Sequence, residues 1–396
     1  MTSDRTIPFE ELEELPIEAL RGRRGTKWNR YPADVLPAWV ADMDFPVAEP
    51  VQRAIAELVE QRDYGYGART GEVSLEAAFA ERMDRTFGWT VDPELVQPVA
   101  ELIQALFALV LTFSERDDGV VIQTPIYPPF LTTLEQTGRR LVDNPLADDG
   151  ARFVLDAEDL RRKVDDRTRM LLVCNPHNPS GRVLERAELL ALAELAVERD
   201  MVIVCDEIHA DLIYPGRRHV PMATLGEEIA ARTITITSAT KSFNIPGLRC
   251  AVMHFGSSEL RERFRRVIPD RLLGQVNVVG VDATVAAWRQ AQPWLDAVMV
   301  RLLANRDRVG RFVRDELPQI RHYTPESTYL AWLDCRALDL PEAPYHFFLE
   351  RARVGLNDGA DFGPASQSCV RLNFATSETI LDEVLERMAE AVRARR

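Results

Sequence analysis

The feature that most constrains this chain is a series of five short, continuous apolar runs, at residues 120–123, 170–174, 202–205, 233–237 and 251–255. A strand with one wet face alternates apolar and polar residues, whereas a strand that is apolar throughout is buried on both faces. Helical stretches between these runs supply the cover. One is explicit at 185–199, where Leu189, Leu190, Leu192 and Leu195 form an apolar face. Another, at 102–113, is apolar apart from Gln104 and is too short to span a bilayer, so it reads as a core helix. The pattern predicts an α/β fold around a parallel sheet covered on both sides.

A chain of 396 residues can bury a large core and is expected to form two domains. After residue 261 the order changes. Long Arg- and Leu-rich helices over 281–313 precede a strand at 328–335, a short helix at 345–352, a strand at 370–374 and a final helix at 377–393. The expected division is a large domain over 46–284 and a smaller α+β domain formed by 1–45 together with 285–396. Before the first apolar run, the pattern is helical from Val47 and again at 75–83, on either side of the turn Asp63-Tyr64-Gly65-Tyr66-Gly67. The formal charge of −14 makes nucleic acid an unlikely partner, and no segment suits a membrane. Five widely spaced cysteines suit buried thiols in a reducing cytoplasm better than a disulfide framework or a metal site, and no metal is expected. The first residues have no signal-peptide apolar core, which also points to the cytoplasm.

Ligands of open parallel sheets bind outside the carboxyl ends of the strands. Here the run ending at Cys174 leads into Asn175-Pro176-His177-Asn178-Pro179-Ser180-Gly181, and the run ending at Cys205 into Asp206-Glu207-Ile208-His209. The run ending at Thr237 leads into Ser238-Ala239-Thr240-Lys241. Only three lysines stand among the 48 basic residues. Lys163 reads as a solvated helix end and Lys27 as part of an irregular basic stretch. Lys241 follows a β-branched strand, where a neutralisable amine is useful: arginine stays protonated and forms no Schiff base, whereas a desolvated lysine can attack a carbonyl. Lysine, carboxylate, amide and hydroxyl at one sheet edge are the groups that pyridoxal 5′-phosphate needs for its imine, its ring nitrogen, its ring oxygen and its phosphate.

The segments 175–181, 206–209, 238–248 and 370–374 resemble the fold-type I, class I/II aminotransferase superfamily. Trp39-Val40-Ala41-Asp42-Met43-Asp44-Phe45, Tyr64-Gly65-Tyr66, Pro125-Ile126-Tyr127-Pro128-Pro129-Phe130 and Lys241-Ser242-Phe243-Asn244-Ile245-Pro246-Gly247-Leu248 resemble its bacterial cystathionine β-lyase, or C–S lyase, branch. The resemblance runs from about residue 24 onward. It implies the PLP-dependent transferase fold of type I, with a mostly parallel central sheet in a large domain and a smaller α+β domain.

By the same resemblance, Lys241 matches the Schiff-base lysine, Asp206 the partner of the pyridine nitrogen, and Asn178 the amide on the ring hydroxyl. Tyr127 matches the aromatic that stacks on the ring. His209 stands where aminotransferases commonly place a tyrosine that bonds the ring oxygen. Ser238 and Arg249, with the N–H groups of Leu102 and Ile103, match the phosphate site. Glu101 stands where a small residue is usual. Tyr66 matches a tyrosine that reaches the phosphate from the neighbouring subunit of a homodimer. Arg371, with the backbone near Ala41, matches the clamp on the substrate α-carboxylate.

The resulting expectation is a PLP-dependent C–S β-lyase that cleaves L-cystathionine or a related L-cysteine S-conjugate to a thiol, pyruvate and ammonia. An aminotransferase or a sulfur-conjugate tailoring enzyme would use the same residues. A regulatory protein on the same fold is the alternative from another class.

Overall fold

The computed structural model describes residues 12–67 and 70–395. Seven strands form the large sheet: β1 (Val96–Val99), β2 (Gly119–Ile122), β3 (Arg140–Asp143), β4 (Thr168–Cys174), β5 (Val202–Asp206), β6 (Thr233–Thr237) and β7 (Ala251–Phe255). Their order is β1-β7-β6-β5-β4-β2-β3. The five apolar runs are all strands of this sheet. Its two edge strands, β1 and β3, escape the pattern because they are only half-buried and carry Gln97, Pro98, Arg140 and Asp143.

Burial alternates as the pleat requires. Val120, Ile122, Met170, Leu172 and Val204 pack with Leu106, Leu109 and Phe113 of the helix Leu102–Phe113 on one face. Val121, Leu171, Val173 and Ile203 pack with Leu189, Leu192 and Leu195 of the helix Arg186–Glu198 on the other. Each of those leucines is almost fully buried, and burying one contributes about 2 kcal/mol. Such packing holds these helices in place more than local propensity does.

One strand corrects the parallel expectation. β7 runs antiparallel to both β6 and β1, whereas β2 to β6 pair in parallel. The link from Thr237 to Ala251 holds only a single 3₁₀ turn, Pro246–Leu248, and no crossover helix. A connection without a crossover returns the chain antiparallel.

A second sheet contains β8 (Arg321–His322), β9 (Leu330–Asp334), β10 (Asn357–Asp358) and β11 (Cys369–Asn373), in the order β8-β9-β11-β10 and antiparallel throughout. The long helices Val278–Gln290, Gln292–Glu316 and Glu378–Ala394 accompany it in sequence. The predicted short helix is Pro344–Phe347 followed by a π turn, Phe348–Ala352. Leu36–Pro37 pairs with Val354–Gly355, which ties the N-terminal segment to this part of the fold. All five cysteines are buried and unpaired. Among the described residues no helix is long and apolar enough to cross a membrane.

Lys27 differs from its sequence reading. It lies in a helical turn, Thr26–Asn29, and is buried, with Nζ donating to Asp44 Oδ2 at 2.8 Å and to the Asp42 carbonyl at 3.0 Å. A basic stretch looks solvated in sequence because the carboxylate that pairs with it lies outside the stretch.

Candidate active site

The strand registers align Cys174, Asp206 and Ile236 across β4, β5 and β6. The residues that follow these strands therefore leave the sheet along one edge. β7 begins where the parallel strands end, so its reversal brings Arg249 and Cys250 to the same edge. Val99, the last residue of β1, lies opposite Ala251, and the helix Leu102–Phe113 starts there. The second sheet adds Arg371 from β11, and a strap over residues 39–45 closes the site.

These elements enclose a cavity of about 340 Å³. Ala41, Leu102, Ile103, Tyr127, Asn178, Asp206, His209, Ser238, Lys241, Arg249 and Arg371 all line it. Tyr66 is the expected site residue that does not; it is fully exposed in the turn after the helix Glu49–Gln61. Trp39, Ile208, Thr240 and Asn357 also line the cavity and were not assigned from sequence. Asn357 carried no sequence signal. Trp39 stood in a recognisable motif, but nothing in sequence distinguished a wall from a core position.

Lys241 is buried, and its Nζ donates to the Ala41 carbonyl at 2.9 Å. Desolvation, reinforced by the Arg371 charge, lowers its pKa to about 8, while Asp42 and Asp206 oppose the shift. Asp206 is also buried, and desolvation pushes it up to about 7. Its Oδ1 accepts the Ile208 N–H at 3.1 Å, and no other hydrogen bond reaches its carboxylate among the described residues. Burial, with Lys241 and Arg371 nearby, lowers His209 to about 3 and keeps its ring neutral. Its Nδ1 has no partner among the described residues.

The buried Arg371 guanidinium donates to Asn178 Oδ1 at 2.8 Å and to Asn357 Oδ1 at 2.6 Å, with a longer contact to the Trp39 carbonyl. Desolvation lowers its pKa to about 10, and its Nε has no partner among the described residues. A guanidinium held by two amides stays cationic and keeps capacity for an anion. Ser238 Oγ donates to the Cys250 carbonyl at 2.6 Å and accepts the Thr240 N–H at 3.0 Å. Arg249 pairs with Glu101, the residue that precedes the helix Leu102–Phe113, and that helix start has no side-chain cap.

Two further histidines have structural partners. His177 Nδ1 bonds Ser180 Oγ at 2.8 Å, and His219 Nε2 bonds Glu207 Oε2 at 3.1 Å behind the strand ends.

The profile of the family described as aminotransferase class I and II matches residues 37–388. The chain belongs to this family. Cystathionine β-lyase PatB of Bacillus subtilis (strain 168) is 34% identical to it over 378 residues, covering 94% of this chain and 97% of PatB. The crystal structure of OvoB superposes with a TM-score of 0.90 at 36% identity, covering 96% of this chain and 98% of that one. The PLP-bound C–S lyase of Staphylococcus hominis superposes with a TM-score of 0.88 at 29% identity, covering 94% and 96%. This member of the class I and II aminotransferases has the α/β, type I architecture of those neighbours along nearly its whole length.

Proposed function

We propose that the cavity at the sheet edge holds pyridoxal 5′-phosphate and that the protein is a carbon–sulfur β-lyase. Its substrate is L-cystathionine or a related L-cysteine S-conjugate. The observation that carries this reading is the pairing of a buried, pKa-lowered Lys241 with a buried, under-bonded Asp206 at neighbouring strand ends in one cavity. A buried carboxylate with a single backbone donor is costly unless a cationic or N–H partner joins it. A protonated pyridine nitrogen is such a partner.

The rest of the donor set fits the same group. Asn178 keeps its Nδ2 for a ring oxygen while its Oδ1 is bound to Arg371, and Tyr127 offers an aromatic face. The uncapped start of the helix Leu102–Phe113 presents N–H groups suited to a phosphate, beside Ser238, Thr240 and Arg249.

When bound, pyridoxal 5′-phosphate supplies a sink for the electron pair left at the substrate α-carbon. Arg371 would bind the α-carboxylate, and the strap at Ala41 would close over it. Lys241, displaced by the substrate amine, would take the α-proton, a task suited to an amine titrating near neutrality. Asp206 would hold the proton on the ring nitrogen. Departure of the β-thiolate, with water taken up, yields the thiol, pyruvate and ammonia. The names of PatB and of the Staphylococcus hominis enzyme support elimination over amino-group transfer. Five unpaired buried cysteines support a reducing cytoplasm. The exposed Tyr64 and Tyr66 support a homodimer in which Tyr66 enters the neighbouring site.

Incubation with L-cystathionine, with and without a keto acid, tests the reaction. Pyruvate without a keto acid is expected; amino-group transfer only when a keto acid is present would make the protein an aminotransferase. Lys241→Ala should fold yet lose the colour of covalently held cofactor and essentially all turnover. Borohydride labelling of Lys27 or Lys163 in place of Lys241 would overturn the assignment.

A further inference from the structure

Glu101 occupies the N-cap position of the helix Leu102–Phe113, with an extended backbone at φ −159° and ψ 159°, yet its carboxylate caps nothing. By contrast Glu185, at the N-cap of Arg186–Glu198, forms a capping box with Glu188, whose Oε2 accepts the Glu185 N–H at 2.8 Å. Glu101 reaches away from its own helix and pairs with Arg249. The helix therefore keeps its N–H groups open to an anion, while the cation beside them is already matched by a carboxylate.

We propose that Glu101 sets how tightly the protein holds its cofactor, by competing with the cofactor phosphate for Arg249. This rests on the reading that the cavity binds pyridoxal 5′-phosphate. An incoming phosphate must displace the carboxylate from the guanidinium and then bear a like charge close by. The side chains of Arg249 and Glu101 are 60% and 41% exposed, so their pairing is weak and displaceable, a toll on affinity and not a lock. With the phosphate grip weakened, retention of the cofactor depends more on the covalent bond to Lys241.

The test is a titration of cofactor-free protein with pyridoxal 5′-phosphate and, separately, with pyridoxal, read by the visible absorbance of the bound form. The chains compared are wild type, Glu101→Gln, Glu101→Ala and Glu115→Gln. The last removes the same charge beyond the far end of the helix. Both Glu101 variants should bind pyridoxal 5′-phosphate roughly three- to tenfold more tightly. Their affinity for pyridoxal, which has no phosphate, should match wild type, and Glu115→Gln should match wild type for both. Unchanged or weaker binding of the phosphorylated form by Glu101→Gln would overturn the proposal, because the pair would then serve only to orient Arg249. An equal gain for pyridoxal would also overturn it, since the effect would not pass through the phosphate. Failure of wild type to bind either compound would remove the cofactor reading itself, and this inference with it.

Discussion

Asp206 and Lys241 are both displaced toward neutrality by the same cause, loss of water at the strand ends. For Asp206 the displacement has a definite sign in stability. In the unfolded chain its carboxyl ionises from its ordinary value of 3.8, whereas in the folded protein it keeps its proton up to about 7. Between those values the folded state binds more protons, so the stability of the cofactor-free protein falls as pH rises through this window. Asp206→Asn has no proton to lose. Relative to wild type, the cofactor-free variant should gain on the order of 3 kcal/mol between pH 4 and pH 7. Urea unfolding at several pH values checks this, and parallel stability curves for the two proteins would refute it. With cofactor bound the same variant should lose most of its turnover, because an amide cannot hold the ring-nitrogen proton. Both residues were legible in sequence because each stands at the end of an apolar run. The pairing of Glu207 with His219 was not, since two polar residues 12 apart across a loop follow no period.

The strap over residues 39–45 shows what a stretch without regular structure can do when its carbonyls are committed. Arg371 and Lys241 donate to the carbonyls of Trp39 and Ala41, and Asn373 to those of Val40 and Asp42. Asn244 brackets Met43 and also holds the Phe45 carbonyl. Two chemically important side chains thus rest on the same ribbon. Beneath it, Lys27 bonds Asp44, whose other oxygen accepts Trp28 Nε1 at 2.7 Å. Both members of the Lys27–Asp44 pair are 3% exposed, so removing the cation leaves a buried charge without its counter-ion. Lys27→Met should cost about 3–5 kcal/mol in chemical unfolding, and an apolar replacement of both partners should recover part of the loss. A cost within experimental error would mean that the strap stands without the pair. The motif Trp39 to Phe45 was recognisable in sequence as a family feature, but its carbonyl bonding was not. Backbone acceptors carry no residue-type signal, and their donors lie up to 333 positions away.

At the scale of the molecule, the sequence revealed the sheet through its buried interior and lost it at the edges, where β1 and β3 are only half-buried. The direction of β7 was illegible because an apolar run reads the same either way, yet that reversal delivers Arg249 to the site. Tyr66 stands outside the cavity of its own chain. It lies in Gly65-Tyr66-Gly67, fully exposed, with Val59, Tyr64 and Val73 also exposed along the same stretch. A run of exposed large apolar residues suits an interface, and a two-fold isologous dimer would carry each Tyr66 toward the other subunit's cavity. Tyr66→Phe would then remove one hydrogen bond to a phosphate and weaken cofactor binding about three- to tenfold without unfolding the protein. Mixed dimers give the sharper result. If one subunit carries Tyr66→Phe and the other Lys241→Ala, one site receives both defects and the other receives neither. Activity measured under limiting cofactor should therefore recover toward half of the wild-type value, above the level of either variant homodimer. A fully active monomer in sedimentation, or a mixed dimer no better than the average of its parents, would place Tyr66 outside the site.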